Sequence, residues 1–289
     1  IMGPTGSGKS SFIDKVTGHT GVGVGHDLTS HTSEVKATRC TFEESSVVLV
    51  DTPGSDGMTK ADLNVLEMIS NWLNKEYQKG TTLAAILYFH RITDNHMPAG
   101  TPLKNLRVFQ KLCGKNAMPK VVLVTTMWDE VEEDVGQQRL MKLKDGYWKV
   151  MTSGGSTTFE YMNTQASAMQ LLEAIACQER EQEGIRLQEE ISEMGLELRE
   201  TAAGQVLCCT LEDLAGVRME VLRKIQAGSK GTDEKAIQDL WKEYTQMNAQ
   251  LTPALTEARL LRMSVKQRSN KSIRTGWRSE LITPPLPAT

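Results

Sequence analysis

Short aliphatic runs alternate with longer stretches of helical periodicity over the first 177 residues. The runs have the length and β-branched content of buried strands, and they cover residues 35–42, 46–51, 83–89 and 120–125. Apolar residues at helical spacing predict amphipathic helices from Ser10, from Thr59 or Asp62 to Lys79, at 102–112, at 137–151 and from Thr164. Polar stretches at 18–33, 90–100 and 152–158 are predicted loops. This alternation predicts an α/β fold, with a three-layer and mostly parallel sheet.

The composition changes after Cys177. Residues 179–200 hold eight acidic and three basic residues around one apolar stripe, which predicts a long amphipathic helix with coiled-coil character. Further on, residues 259–278 hold seven basic residues and no acidic one, and a proline-rich tail follows. We therefore expect an α/β domain at 1–177 and a helical extension at 178–289, with a basic, partly disordered tail.

The most specific motif stands at the start of the chain. Residues 1–10 read Ile-Met-Gly-Pro-Thr-Gly-Ser-Gly-Lys-Ser and fit the phosphate-binding pattern G-x-x-x-x-G-K-[ST]. The glycines let consecutive backbone N–H groups turn around a phosphate, and the helix that follows points its positive end at the same anion. The residues expected to bind nucleotide phosphates are Gly3, Pro4, Thr5, Gly6, Ser7, Gly8, Lys9, Ser10 and Ser11.

A core strand normally precedes such a phosphate loop, yet only Ile1 and Met2 stand before Gly3. We therefore expect that an N-terminal piece with most of the first strand is missing from this sequence. Without that strand, the centre of the predicted sheet is incomplete.

A second signal, Asp-Thr-Pro-Gly at 51–54, closes an aliphatic run. The carboxylate of Asp51 can hold Mg²⁺ directly or through water, together with the hydroxyl of Ser10. Gly54 offers a backbone N–H that can contact a terminal phosphate in one nucleotide state only, which is the physical basis of a switch. A further hydroxyl for the Mg²⁺ is expected from the 18–33 loop. Our choice is Thr32, with Thr29 and Thr38 as rivals.

The run Thr-Thr-Met-Trp-Asp at 125–129 follows another aliphatic strand. It resembles the guanine-binding [NT]-K-x-D motif of P-loop GTPases, with Thr126 first, Asp129 last and Met127 in place of the lysine. The resemblance implies that Asp129 accepts hydrogen bonds from the N1 and exocyclic amino groups of guanine, donors that adenine lacks. The expected ligands are therefore GTP or GDP with Mg²⁺, and the last base-binding loop is expected between Gly154 and Ala168. Alternatively, Asp129 belongs to the acidic run that follows it.

Taken together, residues 1–177 resemble the translation-factor class of P-loop GTPases, most of all the septins and the immunity-associated and chloroplast-import-receptor GTPases. In that group, dimers form across the nucleotide site, which implies a homodimer here. More narrowly, the residues at 88–92, 101–103 and 124–129 resemble uncharacterised G-domain proteins of mushroom-forming fungi. The segment after Cys177 carries no family motif.

Hydrolysis needs a positioned water and a positive charge facing the transition state. Ser55 stands where small GTPases often have a water-orienting glutamine, so we expect slow intrinsic hydrolysis. Candidate replacements are His90, Arg91 and His96, in a loop that the resemblance places near a partner's nucleotide. We expect Arg91 or His96 to act across a nucleotide-dependent dimer; ordinary polar loop residues are the alternative.

Charge and composition limit the partners. The net charge of −3 argues against DNA binding, and the five cysteines are odd in number and lack zinc spacing, as in a reduced, cytoplasmic protein. We expect the helical extension to self-associate or to dock on the α/β domain. Alternatively, its basic segment at 259–278 makes a peripheral contact with an anionic membrane or RNA. Two rival functions remain: an ATP-dependent kinase or ATPase, and a scaffold that keeps its nucleotide unhydrolysed.

Overall fold

The computed structural model describes residues 1–18, 34–54, 60–94, 101–177 and 184–209, and single positions between 216 and 248; at 60–63 and 101–104 it describes the backbone alone. The chain divides into two compact units, Ile1–Thr210 and Leu211–Thr289. In the second unit the described positions are helical. Within the described residues, no helix is both long and apolar enough to span a membrane. The basic segment at 259–278 lies outside the described residues.

Two groups of strands build the first unit. Strands β1 (Lys36–Phe42) and β2 (Ser45–Asp51) form an antiparallel hairpin, with Lys36 opposite Asp51. Strands β3 (Ile86–Arg91), β4 (Val121–Thr126) and β5 (Thr157–Glu160) lie parallel, in the order β3-β4-β5. This arrangement confirms the predicted α/β fold.

Residues 1 and 2 connect the two groups of strands. Met2 pairs in parallel with Tyr88, through hydrogen bonds of 2.8 Å to the backbone of Leu87 and Phe89. On the other side, the nitrogen of Ile1 donates to the carbonyl of Val50 at 2.8 Å. A cavity of about 440 Å³, lined mainly by apolar side chains, lies between β2 and β3 beside these two residues. This short pairing places the phosphate loop, which follows Met2, at the carboxyl ends of the neighbouring strands.

Helices cover both faces of the strands. They are α1 (Lys9–Thr17), α2 (Lys60–Tyr77), α3 (Thr101–Cys113), α4 (Glu133–Lys142), α5 (Lys149–Ser153) and α6 (Gln165–Ala176). A π-helical turn at Leu143–Tyr147 joins α4 to α5, and single 3₁₀ turns cover Met118–Lys120 and Trp128–Glu130.

Alternate residues of β3 face the two helical layers. Phe89 packs with Phe12 of α1 and with Tyr161, at ring-centroid distances of 5.5 and 6.1 Å. Tyr88 points to the opposite face and stacks on Phe109 of α3 at 4.6 Å. Successive side chains of a strand point to opposite faces, so apolar residues at adjacent positions produce the buried, two-sided strand that the aliphatic pattern predicts.

Residues 184–209 pack on the far ends of α2 and α3. The segment contains a helical turn at Arg186–Gln188 that continues as a π-helix at Glu189–Glu193. Gln188 donates to the carbonyl of Leu73 at 3.3 Å, Ser192 donates to Asn74 Oδ1 at 2.6 Å, and Tyr77 donates to Glu193. The segment lies within the first compact unit, Ile1–Thr210.

Several predicted elements need correction. The strand predicted at 83–89 lies at 86–91, so His90 and Arg91 are strand residues and not part of the following loop. The predicted loop at 152–158 contains the start of β5, whose half-exposed Thr-Thr-Phe-Glu sequence has no aliphatic run. The long helix predicted at 179–200 stops near Gly195, where φ is +67°, and helical structure resumes at 202–209. The helix predicted at 137–151 begins at Glu133 and contains the π-helical turn.

Candidate functional site

The phosphate loop at residues 3–8 lies directly on β3. A Cβ atom on Gly3 would come within 2.3 Å of the carbonyl oxygen of Phe89, so no side chain fits there. Gly6 and Gly8 have φ of +72° and +89°, in the left-handed region that favours glycine. Gly6 and Gly8 therefore take the unusual backbone conformations that the motif predicts, and the close approach of Gly3 to β3 is a further role that the structure adds.

Lys9 lies against the carbonyl side of this loop. Its Nζ donates to the carbonyl oxygens of Gly3 at 3.0 Å and Pro4 at 2.8 Å, and its side chain is buried. Burying an ammonium group is costly unless it is hydrogen-bonded, and these carbonyls supply the bonds. The arrangement fixes a positive charge at the loop, where it can meet an anion.

Ser10 and Asp51 meet beside the loop. Ser10, in the first turn of α1, donates from its Oγ to Oδ2 of Asp51 at 2.7 Å, and Asp51 is buried at the end of β2. A hydroxyl and a carboxylate oxygen are the hard donors that Mg²⁺ prefers, so the pair fits such an ion. Of the other proposed ligands, Thr29 and Thr32 lie outside the described residues, and Thr38 lies within β1, opposite Leu49.

Gly54 packs on the phosphate loop from the other side. A Cβ atom on Gly54 would lie 2.3 Å from Oγ1 of Thr5 and 2.6 Å from its Cα and backbone nitrogen. Thr52, in the same Asp-Thr-Pro-Gly motif, donates to the carbonyl of Ile1 at 2.9 Å. The structure thus brings the two motifs into direct contact; Ser55 lies outside the described residues.

Thr126 supports the loop from behind. It is buried at the end of β4, and its Oγ1 donates to the carbonyl oxygen of Ser7 at 3.1 Å. Its methyl group lies 3.8 Å from where a Cβ on Gly8 would be. The base-binding resemblance of Thr126 does not predict this contact with the loop backbone.

Asp129 lies on the 3₁₀ turn that follows β4. Its neighbour Trp128 anchors the turn: the indole Nε1 donates to Thr125 Oγ1 at 3.1 Å, and the ring packs so closely on Gly136 that a Cβ there would come within 2.6 Å. Asp129 itself is exposed. The contacts of Trp128 fix the turn, and the turn keeps the carboxylate of Asp129 at the edge of the sheet, where a ligand can reach it.

The loop at 161–164 lies next to this turn, within the range 154–168 where the sequence predicts the last base-binding loop. It follows β5, and the N–H of Tyr161 donates to the carbonyl of Thr125 at 2.9 Å. Thr164 caps α6 by accepting from the N–H of Ser167, and Ser167 Oγ accepts from the N–H of Met162, both at 3.1 Å. The Thr-x-x-Ser spacing was the signal that could have located this loop.

The three candidates for catalysis differ in their surroundings. Arg91 ends β3, its Nη1 is 3.5 Å from the Cβ position of Gly6, and its Nε pairs with Asp94 Oδ1 at 3.2 Å. His90 is buried beside the ring of Trp148, and burial lowers the pKa of His90 to about 4. His90 is therefore a neutral histidine of the protein core. His96 lies outside the described residues.

Comparisons with known proteins give a family match over part of the chain. Residues 1–126 match the family model described as 50S ribosome-binding GTPase, and this match agrees with the α/β fold. No curated protein matches the chain. Among solved structures, the chain is similar to Toc33 from Arabidopsis thaliana in complex with GDP and Mg²⁺, at 20% identity and a TM-score of 0.48, over 64% of this chain and 85% of that one.

Two further solved structures are similar at lower identity. One comes from work on the chloroplast translocon components atToc33 and psToc159, whose description says that dimerisation is important for their GTPase activity. It has 19% identity and a TM-score of 0.48, over 62% of this chain and 82% of that one. The other is elongation factor SelB from Methanococcus maripaludis with the GTP analogue GPPNHP, at 13% identity and a TM-score of 0.43, over 64% of this chain and 34% of that one.

Proposed function

We propose that this protein is a guanine-nucleotide switch, which binds GTP or GDP with Mg²⁺ and hydrolyses GTP slowly. The observation that carries the proposal is the 2.7 Å contact between Ser10 and Asp51 at the phosphate loop. Two residues 41 positions apart meet beside the phosphate loop, and their oxygens would hold a Mg²⁺ ion that supplies positive charge to a nucleotide's phosphates. The family match over residues 1–126 supports the same assignment.

In this proposal the loop binds the phosphates and the Asp-Thr-Pro-Gly motif senses them. Lys9 would turn from the loop carbonyls to phosphate oxygens, and the backbone N–H groups of residues 3–11, except Pro4, which has none, would surround the anion. Ser10 and Asp51 would hold Mg²⁺, with Thr32 as the further ligand, and the ion would supply positive charge beside the phosphates. Because Gly54 already touches Thr5, a terminal phosphate beside the loop must meet Gly54 as well. Contact in one nucleotide state and not in the other is what a switch requires.

The base is assigned to the turn after β4. Asp129 is exposed on a turn that Trp128 holds rigidly, and it lies beside the 161–164 loop. We propose that Asp129 binds guanine and that this neighbouring loop closes the base pocket. Competition between ATP and labelled GTP tests the base: equal competition by ATP would favour a kinase or ATPase instead.

We further propose a homodimer across the nucleotide face, with His96 near the partner's nucleotide. The resemblance to septin-like GTPases and to fungal G-domain proteins stays a prediction, and so do the cytoplasmic location and the peripheral membrane contact of the 259–278 segment. GTP turnover per protomer, measured over a wide dilution series, tests the dimer. Constant turnover at all concentrations argues against it. Co-sedimentation with anionic vesicles, with and without the last thirty or so residues, tests the membrane contact.

The central experiment identifies the nucleotide that the purified protein carries and measures GDP affinity with Mg²⁺ and with EDTA. Ser10→Ala and Asp51→Asn should each abolish most of the Mg²⁺ dependence. The matched control is Thr17→Ala, since Thr17 is also a hydroxyl residue of α1 but bonds to the carbonyl of Ile13. Tight retention of unhydrolysed GTP would favour a scaffold, whereas no guanine-nucleotide binding at all would refute the proposal.

A further inference from the structure

Arg91 lies against the phosphate loop of its own chain. Its Nη1 is 3.5 Å from the position that a Cβ on Gly6 would occupy. Because Gly6 has no side chain, nothing of its own separates the guanidinium from the loop backbone. Arginine remains charged at all physiological pH values. A permanent positive charge therefore stands beside the loop, and it comes from outside the phosphate-binding motif.

Strand pairing and hydrogen bonds within one chain fix this position. Arg91 pairs in register with Thr126, whose hydroxyl donates to the carbonyl of Ser7 in the loop at 3.1 Å. Two residues earlier, Phe89 donates its N–H to the carbonyl of Met2, directly before the loop, at 2.8 Å. These two hydrogen bonds hold the phosphate loop against the strands that position Arg91.

Asp94 orients the guanidinium. The distance from Arg91 Nε to Asp94 Oδ1 is 3.2 Å, and the two side chains are 38% and 28% exposed. Such a half-exposed pair adds little to stability, but it occupies the Nε edge of the guanidinium. A guanidinium presents five donors in a rigid fork, and it can hold a carboxylate at Nε while another edge binds a phosphate.

We propose that Arg91 binds the phosphates of the nucleotide in its own chain, and that Asp94 is the residue that positions it. The inference rests on the proposed function and adds a ligand to that site. It replaces the cross-dimer role expected for Arg91 from the sequence. The base-binding motif usually has a lysine where this chain has Met127. Arg91 lies opposite Thr126, at the end of the adjacent strand, and supplies a positive charge there.

The first test is the affinity for the non-hydrolysable analogue GMPPNP with Mg²⁺. Hydrogen bonds to charged groups are among the strong ones, so Arg91→Ala should weaken binding about tenfold to a hundredfold. Arg91→Lys should lose less, since it keeps the charge without the fork. Asp94→Asn should weaken binding only a few-fold. The control is Arg107→Ala, an exposed arginine on α3, which should bind as the unmodified protein does.

The second test separates action within the chain from action across a dimer. Arg91→Ala is mixed with an excess of Lys9→Ala, which cannot hold phosphate but retains Arg91. GTP turnover by the Arg91→Ala protomer should stay low in the mixture. Restored turnover would show that a partner supplies the arginine and would overturn the inference.

The outcomes also separate this inference from the proposed function. If the unmodified protein binds GMPPNP and Arg91→Ala binds it equally well, the inference fails and the switch stands. If the unmodified protein binds no guanine nucleotide, both fail. Should Arg91→Ala not fold by circular dichroism, Arg91→Lys and Asp94→Asn decide, and unchanged affinity in both overturns the inference.

Discussion

Gly54→Ala should weaken nucleotide binding through a purely steric effect. The backbone of Gly54 is not in the left-handed region, so alanine is free of backbone strain there, yet its Cβ would lie 2.3 Å from Thr5 Oγ1 and 2.6 Å from Thr5 Cα. The hydroxyl can rotate away, but the Cα belongs to the phosphate loop, which must itself move by close to 1 Å. Overpacking of this kind costs about 1–3 kcal/mol. If that cost falls on the binding-competent loop, GDP affinity drops about fivefold to 150-fold.

The assay is GDP affinity by isothermal titration calorimetry, with thermal unfolding of the nucleotide-free protein measured alongside. Gly146→Ala is the matched control, because a Cβ on Gly146 meets nothing within 4 Å. We expect Gly146→Ala to bind GDP as the unmodified protein does. Unchanged GDP affinity in a folded Gly54→Ala protein would refute the reasoning, because the two motifs would then not be in contact.

Three further predictions concern metal, pH and packing. Asp51→Asn should reduce the gain in GDP affinity on adding Mg²⁺ by at least tenfold, measured by titration with and without EDTA; an undiminished Mg²⁺ effect would place the ion elsewhere. Burial lowers the pKa of His90 to about 4, below its value of 6.5 in the unfolded chain, so the unfolded state binds more protons between these values. The free energy of unfolding should therefore fall by about 3 kcal/mol as the pH falls from 6.5 to 4, and His90→Phe should remove this part of the slope in urea titrations. Leu187→Ala truncates a fully buried side chain and should cost about 2–5 kcal/mol of unfolding free energy, whereas a cost below 1 kcal/mol would show that residues 184–209 are not packed on α2 and α3.

Local motifs made the phosphate loop predictable from the sequence. The conformations of Gly3, Gly6 and Gly8 follow from a pattern within eight residues, and the contact of Ser10 with Asp51 follows from a strand end beside a helix start. Thr126 was different. Its bond to Ser7 depends on the order of strands in the sheet, which the sequence pattern does not state.

Weak or misleading sequence patterns explain why three parts of the fold differ from the prediction. β5 is short and half-exposed, so Thr-Thr-Phe-Glu carries neither an aliphatic run nor a clear alternation. The 179–200 segment has an amphipathic stripe, but Gly195 takes a left-handed φ that ends the helix. His90 looked like a loop residue because it is polar, yet β3 extends through it and buries its ring against Trp148.

Hydrogen bonds of residues 188–193 fix this segment to one end of α2. α2 has 18 residues, so it is about 27 Å long. One end follows the motif that touches the phosphate loop, and the other end, at Leu73–Tyr77, is bonded to the segment that leads into the second unit. Residues 188–193 are therefore hydrogen-bonded to the end of α2 that lies farthest from the Asp-Thr-Pro-Gly motif.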